Sequence, residues 1–295
     1  MNDLLRITKL SKHYDGFDLR DINLNVPAGC VVGFIGSNGA GKTTTIKAAL
    51  GLVFPDSGNI DLLGTPLEDA SAAAFVAAKQ RIGVVFDTCA FPEDITVKRG
   101  AAIMAHAYNT WDNALFSHYL SAFNLPLDKK IKSLSRGMGM KLTLACALAH
   151  TPDLLILDEA TAGLDPLARE EVLCILRGFM DDPSHGILMS THITSDLEKI
   201  ADYVVCIDKG RIVFSAEKDA ITDTAGIARC RTADFDTLVN SGFFAPGSLR
   251  FLQHEYGIDV LIENRFAAGE RFKTITLDKA SIEDYMTLML KGGTR

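Results

Sequence analysis

The sequence predicts an α/β fold built around a mostly parallel sheet. A glycine-rich segment, Gly36–Thr44 (GSNGAGKTT), follows the short apolar run Val31–Ile35 and leads into helix-compatible sequence. Two further apolar runs, Leu154–Leu157 and Gly186–Ser190, are continuous and bounded by turns, as in parallel strands that are buried on both faces. The segment between them, Pro166–Met180, has helical spacing, so strands and helices alternate as a parallel sheet requires.

The remaining elements before residue 150 divide into strands and a helical insertion. Leu4–Lys9 and Leu19–Val26 alternate as strands do, and Asn59–Leu63 is a short strand after a turn. Arg81–Phe86 (RIGVVF) predicts another strand. From Pro92 to about His150 the sequence becomes rich in alanine and helix-forming residues, which predicts helices inserted between strands of the sheet.

The C-terminal part of the chain gives weaker signals. Tyr203–Ile207 and Arg211–Ser215 flank an Asp-Lys-Gly turn and predict a hairpin. Strands are predicted at Ile258–Glu263 and Thr274–Leu277, and Ser281–Asp284 resembles a capping box that opens a closing helix.

Composition and charge favour an ordinary globular protein over a nucleic-acid-coating one. Of the 295 residues 47% are hydrophobic and 23% are charged, and the formal net charge is −7. Because phosphate backbones are bound by basic surfaces, this balance argues against nucleic acid as a partner. The N-terminus has no secretion signal and no run approaches the roughly 18 apolar residues of a membrane helix, which predicts a cytoplasmic location.

The six cysteines are scattered and include no C-x-x-C pair. Because most of them lie inside apolar runs, we expect buried, reduced thiols rather than disulfides or metal ligands.

The glycine-rich segment has the pattern of a phosphate-binding loop. Its glycines allow successive backbone N–H groups to point at phosphate oxygens, and the following helix turns its positive end toward the same anion. Lys42 is expected to reach the β- and γ-phosphates and Thr43 to coordinate Mg²⁺. The residues predicted to line the nucleotide here are Gly36, Ser37, Asn38, Gly39, Ala40, Gly41, Lys42, Thr43 and Thr44.

An acidic pair, Asp158-Glu159, ends the apolar run LLIL. Ligands of open α/β sheets bind at the carboxyl ends of strands, so this pair is expected near the phosphates. Asp158 is then suited to hold Mg²⁺ through its water shell, and Glu159 to polarise the attacking water. Solvated acids at the end of a strand are the alternative, and the phosphate loop favours the catalytic interpretation.

The segment Leu134–Met138 (LSRGM) precedes the helical stretch Gly139–His150. With it the chain resembles the nucleotide-binding subunits of ATP-binding-cassette (ABC) transporters, whose signature is usually LSGGQ at a similar spacing from the acidic pair. Ser135, the backbone of Gly137 and the helix dipole suit an anion site. The resemblance implies that two subunits pair head to tail and that this segment closes on the γ-phosphate held by the other subunit.

The resemblance runs from about residue 4 to about residue 220. It implies that Tyr14 stacks on adenine, that His192 is a switch histidine at the γ-phosphate, and that Ala162–Asp165 is the D-loop, which touches the opposing site. The implied fold is a P-loop NTPase of the ABC ATPase type, with a RecA-like mostly parallel sheet, an antiparallel β subdomain, an inserted helical subdomain (about 92–150) and a small α+β extension (221–295).

Several positions depart from the usual pattern of the family. Asp87 occupies the position where glutamine or glutamate usually senses Mg²⁺ and the membrane partner, and its shorter carboxylate can still meet Mg²⁺ through water. Arg136, Met138 and Ala160 replace the more frequent glycine, glutamine and proline. None of these changes removes a group that hydrolysis needs.

The implied function is ATP hydrolysis by the subunit of a transporter that drives a separate multi-span membrane permease at the inner face of the membrane. The ATPase is expected to work as a homodimer, or as a heterodimer with a related subunit, and the permease to contact Phe91, Pro92 and the residues after them. LSRGM, the single cassette and the C-terminal extension look most like ABC-2-type subunits of export or resistance systems.

Two other functions compete with this one. A soluble ABC-class ATPase acting on nucleic acid or ribosomes tends to carry two cassettes, long coiled-coil insertions or basic surfaces, and this chain has none of them. A GTPase needs an N-K-x-D segment, which is absent, and a small-molecule kinase does not need a signature segment that acts in trans.

Overall fold

Strands and helices alternate along most of the chain in the computed structural model, which describes residues 2–68 and 70–295. The described strands are β1 (Asp3–Tyr14), β2 (Phe17–Pro27), β3 (Val31–Ile35), β4 (Ser57–Leu62), β5 (Thr65–Pro66), β6 (Ile82–Val85), β7 (Leu154–Asp158), β8 (Gly186–Thr191), β9 (Tyr203–Asp208), β10 (Arg211–Glu217), β11 (Gly226–Cys230), β12 (Arg250–His254), β13 (Gly257–Ile262), β14 (Thr276–Lys279) and β15 (Gly293–Thr294). The described α-helices are α1 (Lys42–Ala49), α2 (Ala72–Gln80), α3 (Val97–Ala107), α4 (Asn113–Ala122), α5 (Arg136–Leu148), α6 (Pro166–Phe179), α7 (Thr194–Ile200), α8 (Thr232–Val239), α9 (Arg265–Arg271) and α10 (Ile282–Lys291).

The central sheet has the strand order β10-β9-β3-β8-β7-β6, and only β10 at its edge is antiparallel. Every residue of β3, β7 and β8 is buried, which explains why these strands read as continuous apolar runs. In the register of this sheet Ile35 lies beside Thr191, and Asp158 lies beside Ser190. The carboxyl ends of β3, β7 and β8 therefore meet at one edge, and the predicted α/β fold is confirmed.

Two apolar layers cover the faces of the central sheet. On one face Val32 and Phe34 pack with α1 and with the antiparallel sheet β2-β1-β4-β5. On the other face Val31 and Ile35 pack with α5 and α6. Successive residues of a strand point to opposite faces, so one five-residue strand anchors both layers. Burying each such side chain stabilises the fold by roughly 1.5–3 kcal/mol, and this fixes the loop that follows β3.

Three helices, α3, α4 and α5, lie between β6 and β7, as the alanine-rich composition predicts. Each begins after a polar residue whose side chain accepts a hydrogen bond from the first turn, namely Thr96, Asp112 and Ser135. The helix predicted at Gly139–His150 starts earlier, at Arg136, because the cap is Ser135 of the signature segment.

A third sheet, with the order β14-β11-β13-β12-β15, is antiparallel and lies in the C-terminal part of the chain. Side chains of α8 and α9 pack on one face and those of α10 on the other. The predicted strands appear as β13 and β14, the latter two residues later than expected. Strands β11 and β12 were not predicted from the sequence. Four of the five residues of β11 are buried, so this strand shows no alternation.

The closing helix α10 joins this sheet to the central one. The predicted capping box is present, with Ser281 Oγ accepting from the Asp284 N–H at 3.0 Å. The Ile282 N–H donates to Glu198 Oε1 on α7 at 3.0 Å. Tyr285 packs edge-on against Phe214 of β10 with ring centroids 5.0 Å apart. Helix α10 is thus part of the apolar layer that also covers the central sheet.

All six cysteines are free thiols, as expected. Three are buried, whereas Cys30 and Cys89 are partly accessible and Cys174 is exposed on α6. Within residues 2–68 and 70–295, no helix combines the length and the apolar character that a bilayer crossing requires.

Candidate active site

The loop between β3 and α1 curls tightly around its own backbone. Gly39 and Gly41 have φ angles of 79° and 119°, in the region that favours glycine. Gly36 is needed for a different reason, because a Cβ there would lie 2.3 Å from the carbonyl oxygen of Ile207 on β9. Helix α1 starts directly after Gly41 and no side chain caps it, so its first N–H groups remain oriented toward the loop. The loop has the shape and polarity of an anion cradle.

Lys42 lies across this loop although its side chain is only 6% exposed. Its Nζ donates to the carbonyl oxygen of Gly36 at 2.7 Å and, more weakly, to that of Ser37 at 3.3 Å. It also lies 3.4 Å from Glu159 Oε1 at the end of β7. The ammonium group is therefore held over the cradle and faces the acidic pair.

The two acidic residues at the end of β7 have different surroundings. Asp158 is buried, and its Oδ2 accepts a hydrogen bond from Thr43 Oγ1 at 2.7 Å, whereas its Oδ1 has no partner. Glu159 adopts a left-handed conformation with φ of 55°, and its N–H donates to the carbonyl of Ser190 at 2.9 Å. A positive φ in a non-glycine residue is strained. The two carboxylates contact different partners, Thr43 for Asp158 and Lys42 for Glu159.

The switch histidine predicted from the resemblance lies beside Glu159. His192 follows β8, and its Nδ1 is 2.7 Å from Glu159 Oε2. The Glu159 carboxylate is therefore held between His192 on one oxygen and Lys42 on the other. Lys42 lies 117 positions before Glu159, and Glu159 lies 33 positions before His192. These three residues meet because β3, β7 and β8 are neighbours in the sheet.

Tyr14 lies at a cleft of about 670 Å³ next to the phosphate loop. Its side chain is 38% exposed, and Ser37–Ala40 line the same cleft. Asp18 lies there too, and hydrogen bonds from Arg20 and His13 hold the pKa of this carboxyl below its ordinary value. Asp18, Arg20 and the Asp208–Lys209 turn also line this cleft, although no local sequence pattern marks them.

The signature residues occupy a different place. Asp87, Phe91 and Ser135 line a groove of about 330 Å³ that contains no residue of the phosphate loop. Ser135 Oγ accepts from the Met138 N–H at 3.2 Å and so caps α5. A Cβ on Gly137 would lie 3.3 Å from Leu164 of the D-loop. Within one chain, the signature segment packs against the D-loop.

The donor set at Asp158 fits a magnesium ion. Its unpartnered Oδ1 is a buried acceptor that needs a cation or a donor, and the hydroxyl of Thr43 is at its other oxygen. The described residues contain no cluster of three or more histidine, cysteine or acidic side chains that forms a metal cage. A site with one or two carboxylates suits Mg²⁺, which retains water and takes further oxygens from substrate phosphates.

Comparisons with known proteins identify a family. A family model described as ABC transporter matches residues 19–162. The bacitracin transport ATP-binding protein BcrA of Bacillus licheniformis is 30% identical over a 320-residue alignment that covers 100% of this chain and 99% of that protein. The Nod factor export ATP-binding protein I of Burkholderia lata is 34% identical over 217 residues, covering 71% of this chain and 69% of that protein.

Solved structures give the same result. The ATP-binding subunit of an ABC transporter superimposes with a TM-score of 0.67 at 32% identity, covering 74% of this chain and 91% of that one. The family match, the full-length relative and the solved structure thus agree, and the chain belongs to the ABC transporter family as an ATP-binding subunit with ATPase activity.

Proposed function

We propose that this chain powers a separate multi-span membrane permease of the export or resistance type, to which it binds at the inner face of the membrane. The observation that carries the proposal is the meeting of Lys42, Glu159 and His192 at the phosphate loop, because this arrangement suits hydrolysis of ATP as well as its binding. The full-length similarity to a bacitracin transport protein supports the export or resistance type. The ABC-2-type assignment rests on LSRGM, the single cassette and the C-terminal extension.

Binding of the nucleotide is proposed to use two adjoining surfaces. Tyr14 stacks on adenine in the cleft, and the backbone N–H groups of residues 36–44 together with Lys42 take the phosphates. The wall that Tyr14 shares with Ser37–Ala40 supports this division, since it joins the base site to the phosphate loop.

Magnesium is proposed to be held by Thr43 and Asp158, with Asp87 reaching it through water. A magnesium ion held by these residues would neutralise the charge that develops during phosphoryl transfer. The hydrogen bond between the Thr43 hydroxyl and Asp158 Oδ2 holds these two side chains together, and Asp158 Oδ1 stays without a partner. Asp87 lines the neighbouring groove, so it also faces the region where a permease is proposed to bind.

Water activation is proposed for Glu159. Its carboxylate accepts a proton from the attacking water, while His192 orients this carboxylate and contacts the γ-phosphate. The 2.7 Å contact between His192 Nδ1 and Glu159 supports the orienting part of this role. When ATP binds, the Lys42 ammonium group is proposed to exchange its contact with the Glu159 carboxylate for contacts with the phosphates. The carboxylate is then free to bind the attacking water.

A second subunit, identical or related, is proposed to complete each site. Ser135 lines a groove that contains no phosphate-loop residue of its own chain, which supports a role toward a partner. The dimer would close on two ATP molecules and open after hydrolysis. We further propose that residues 1–220 form the nucleotide-binding domain, with a helical subdomain at about 92–150, and that 221–295 form an accessory region.

The permease is proposed to contact Phe91, Pro92 and the residues after them. Affinity purification of the tagged chain from detergent-solubilised membranes of its own host, followed by mass spectrometry, tests this proposal. We expect one multi-span membrane protein in near-stoichiometric amount, reduced when Phe91 is changed to Asp and retained when Phe266, exposed on α9, is changed to Asp. Recovery of ribosomal proteins or nucleic acid without a membrane protein would instead favour the soluble ABC-class alternative.

A further inference from the structure

Buried polar atoms without hydrogen-bond partners are concentrated behind the active site. Five such side-chain atoms are found among the described residues: Asp158 Oδ1, Thr161 Oγ1, Arg169 Nε, Ser190 Oγ and Asp196 Oδ2. Asp158 and Ser190 lie in β7 and β8, Thr161 follows β7, and Arg169 and Asp196 lie on the next helices, α6 and α7. Leaving a buried donor or acceptor unpaired costs about 1–3 kcal/mol, so an uneven distribution of this kind needs a reason. Magnesium accounts for Asp158, but not for the cluster of Thr161, Arg169 and Asp196.

Asp196 is the centre of that cluster. Its side chain is 1% exposed, and its Oδ2 lies 3.9 Å from Arg169 Nε. The Thr161 hydroxyl faces the same carboxylate. Arg169 extends further and donates through Nη2 to the carbonyl of Leu164 at 3.4 Å. Arg169 and Thr161 therefore flank the carboxylate, and the contact with Arg169 is longer than a hydrogen bond.

The three residues of this cluster lie close in sequence to the D-loop or to His192. Thr161 directly precedes the D-loop, Ala162–Asp165, and Arg169 comes four residues after it. Asp196 comes four residues after His192. One buried carboxylate thus connects the segment that carries His192 to both ends of the D-loop.

Charged side chains on α6 and α7 lie near Asp196. Burial raises the pKa of Asp196, while Thr161, Arg169 and Lys199 oppose this effect and Glu170 adds to it. A charge-assisted N–H···O hydrogen bond is 2.7–2.9 Å long, so an approach of about 1 Å would satisfy both Asp196 and Arg169. Such an approach would move the D-loop and the His192 segment together.

We propose that Asp196 is a positioning residue for ATP hydrolysis, which ties the His192 segment to the D-loop through Arg169 and Thr161. It sets the placement of His192 against Glu159 and transmits movements of the D-loop to that pair. The inference rests on the proposed roles of Glu159 and His192, and it does not depend on the permease.

The test compares Asp196→Asn with Glu198→Gln in the purified full-length chain. Asparagine keeps the volume and removes the charge, so we expect kcat for ATP hydrolysis to fall at least tenfold while the Kd for Mg-ATP changes by less than twofold. Glu198 lies on the same helix, is exposed, and keeps an oxygen acceptor for the Ile282 N–H as glutamine, so that variant should hydrolyse ATP at the wild-type rate. Asp196→Glu, which restores a carboxylate, should recover most of the activity.

A double-mutant cycle separates positioning from a general structural effect. In single-turnover measurements on a His192→Ala background, Asp196→Asn should cause no further loss, because its effect passes through His192. A further tenfold loss on that background would overturn the proposal, and so would wild-type kcat in Asp196→Asn. If Asp196→Asn does not fold, Arg169→Gln, which changes a partly exposed side chain, must give the same selective loss of kcat. Wild-type hydrolysis by His192→Ala itself would overturn the proposed role of His192 as well, which distinguishes the two failures.

Discussion

Replacing Glu159 by glutamine separates binding of ATP from its hydrolysis. The amide has the same shape, keeps an oxygen for His192 Nδ1 and removes the charge that lies 3.4 Å from Lys42 Nζ. It cannot accept a proton from water, so the chemical step alone should suffer.

The structure sets the expected size of both effects. General-base catalysis contributes about 10²–10⁴-fold, which corresponds to roughly 2.7–5.4 kcal/mol of barrier. In binding, Glu159 competes with phosphate for Lys42, because a pair at 3.4 Å attracts by roughly 5 kcal/mol before desolvation, at an effective dielectric constant of about 20. Desolvation offsets much of this attraction. Glu159→Gln should therefore bind ATP as tightly as the wild type or more tightly.

Phosphate release under single-turnover conditions measures the chemical step, and titration with a fluorescent ATP analogue measures binding. Gel filtration with Mg-ATP should show a stable closed dimer for Glu159→Gln. Glu255→Gln is a matched control, since Glu255 is an exposed carboxylate in the turn between β12 and β13. Hydrolysis by Glu159→Gln at the wild-type rate would refute the assignment of Glu159 as the base. Loss of ATP binding in this variant would refute the expectation that Glu159 is needed only for hydrolysis.

Three further outcomes are expected. Gly36→Ala should lower the free energy of unfolding by about 3 kcal/mol, since its Cβ would meet a backbone oxygen at 2.3 Å. Gly39→Ala has open space around its Cβ and should lower it by about 1–2 kcal/mol, because of the positive φ at that position. Urea denaturation measures both values, and equal losses would contradict the packing argument. Burial lowers the pKa of His150, so its contribution to stability is present above its ordinary value of 6.5 and is lost as the pH falls below it; His150→Gln should flatten this part of the stability–pH curve, and an unchanged slope would count against it. Burial raises the pKa of Cys206 to about 12, so a thiol reagent should label Cys174 in the native protein and reach Cys206 only on unfolding, as peptide mass spectrometry of the wild type and Cys174→Ser can show.

Local patterns in the sequence were sufficient to predict the phosphate loop and the strands that carry the site. The loop depends on glycines at fixed spacing, and the parallel strands depend on continuous apolar runs, so both are written in consecutive residues. The helices between β6 and β7 and the capping box at Ser281 are local for the same reason. The roles of His192, Tyr14 and Ser135 came from the resemblance to a family and stay predictions for mutagenesis to test.

Other features had no local signal. Strand β11 is predicted poorly because burial on both faces removes its alternation. The contact of Glu198 with the first turn of α10 joins residues 84 positions apart. It places the C-terminal region against α7, the helix that begins two residues after His192.

The sequence by itself determined that this chain binds a nucleotide, because a phosphate cradle and its acidic pair are each built from a few consecutive residues. Only the tertiary structure decided that Glu159 lies between Lys42 and His192, and that Asp196 faces Arg169 and Thr161. Those contacts depend on the order of strands in the sheet and on burial at its edge, where the low polarity of the surroundings makes each charge sensitive to its neighbours. Strand order and burial are properties of the whole fold, and no short stretch of sequence specifies them.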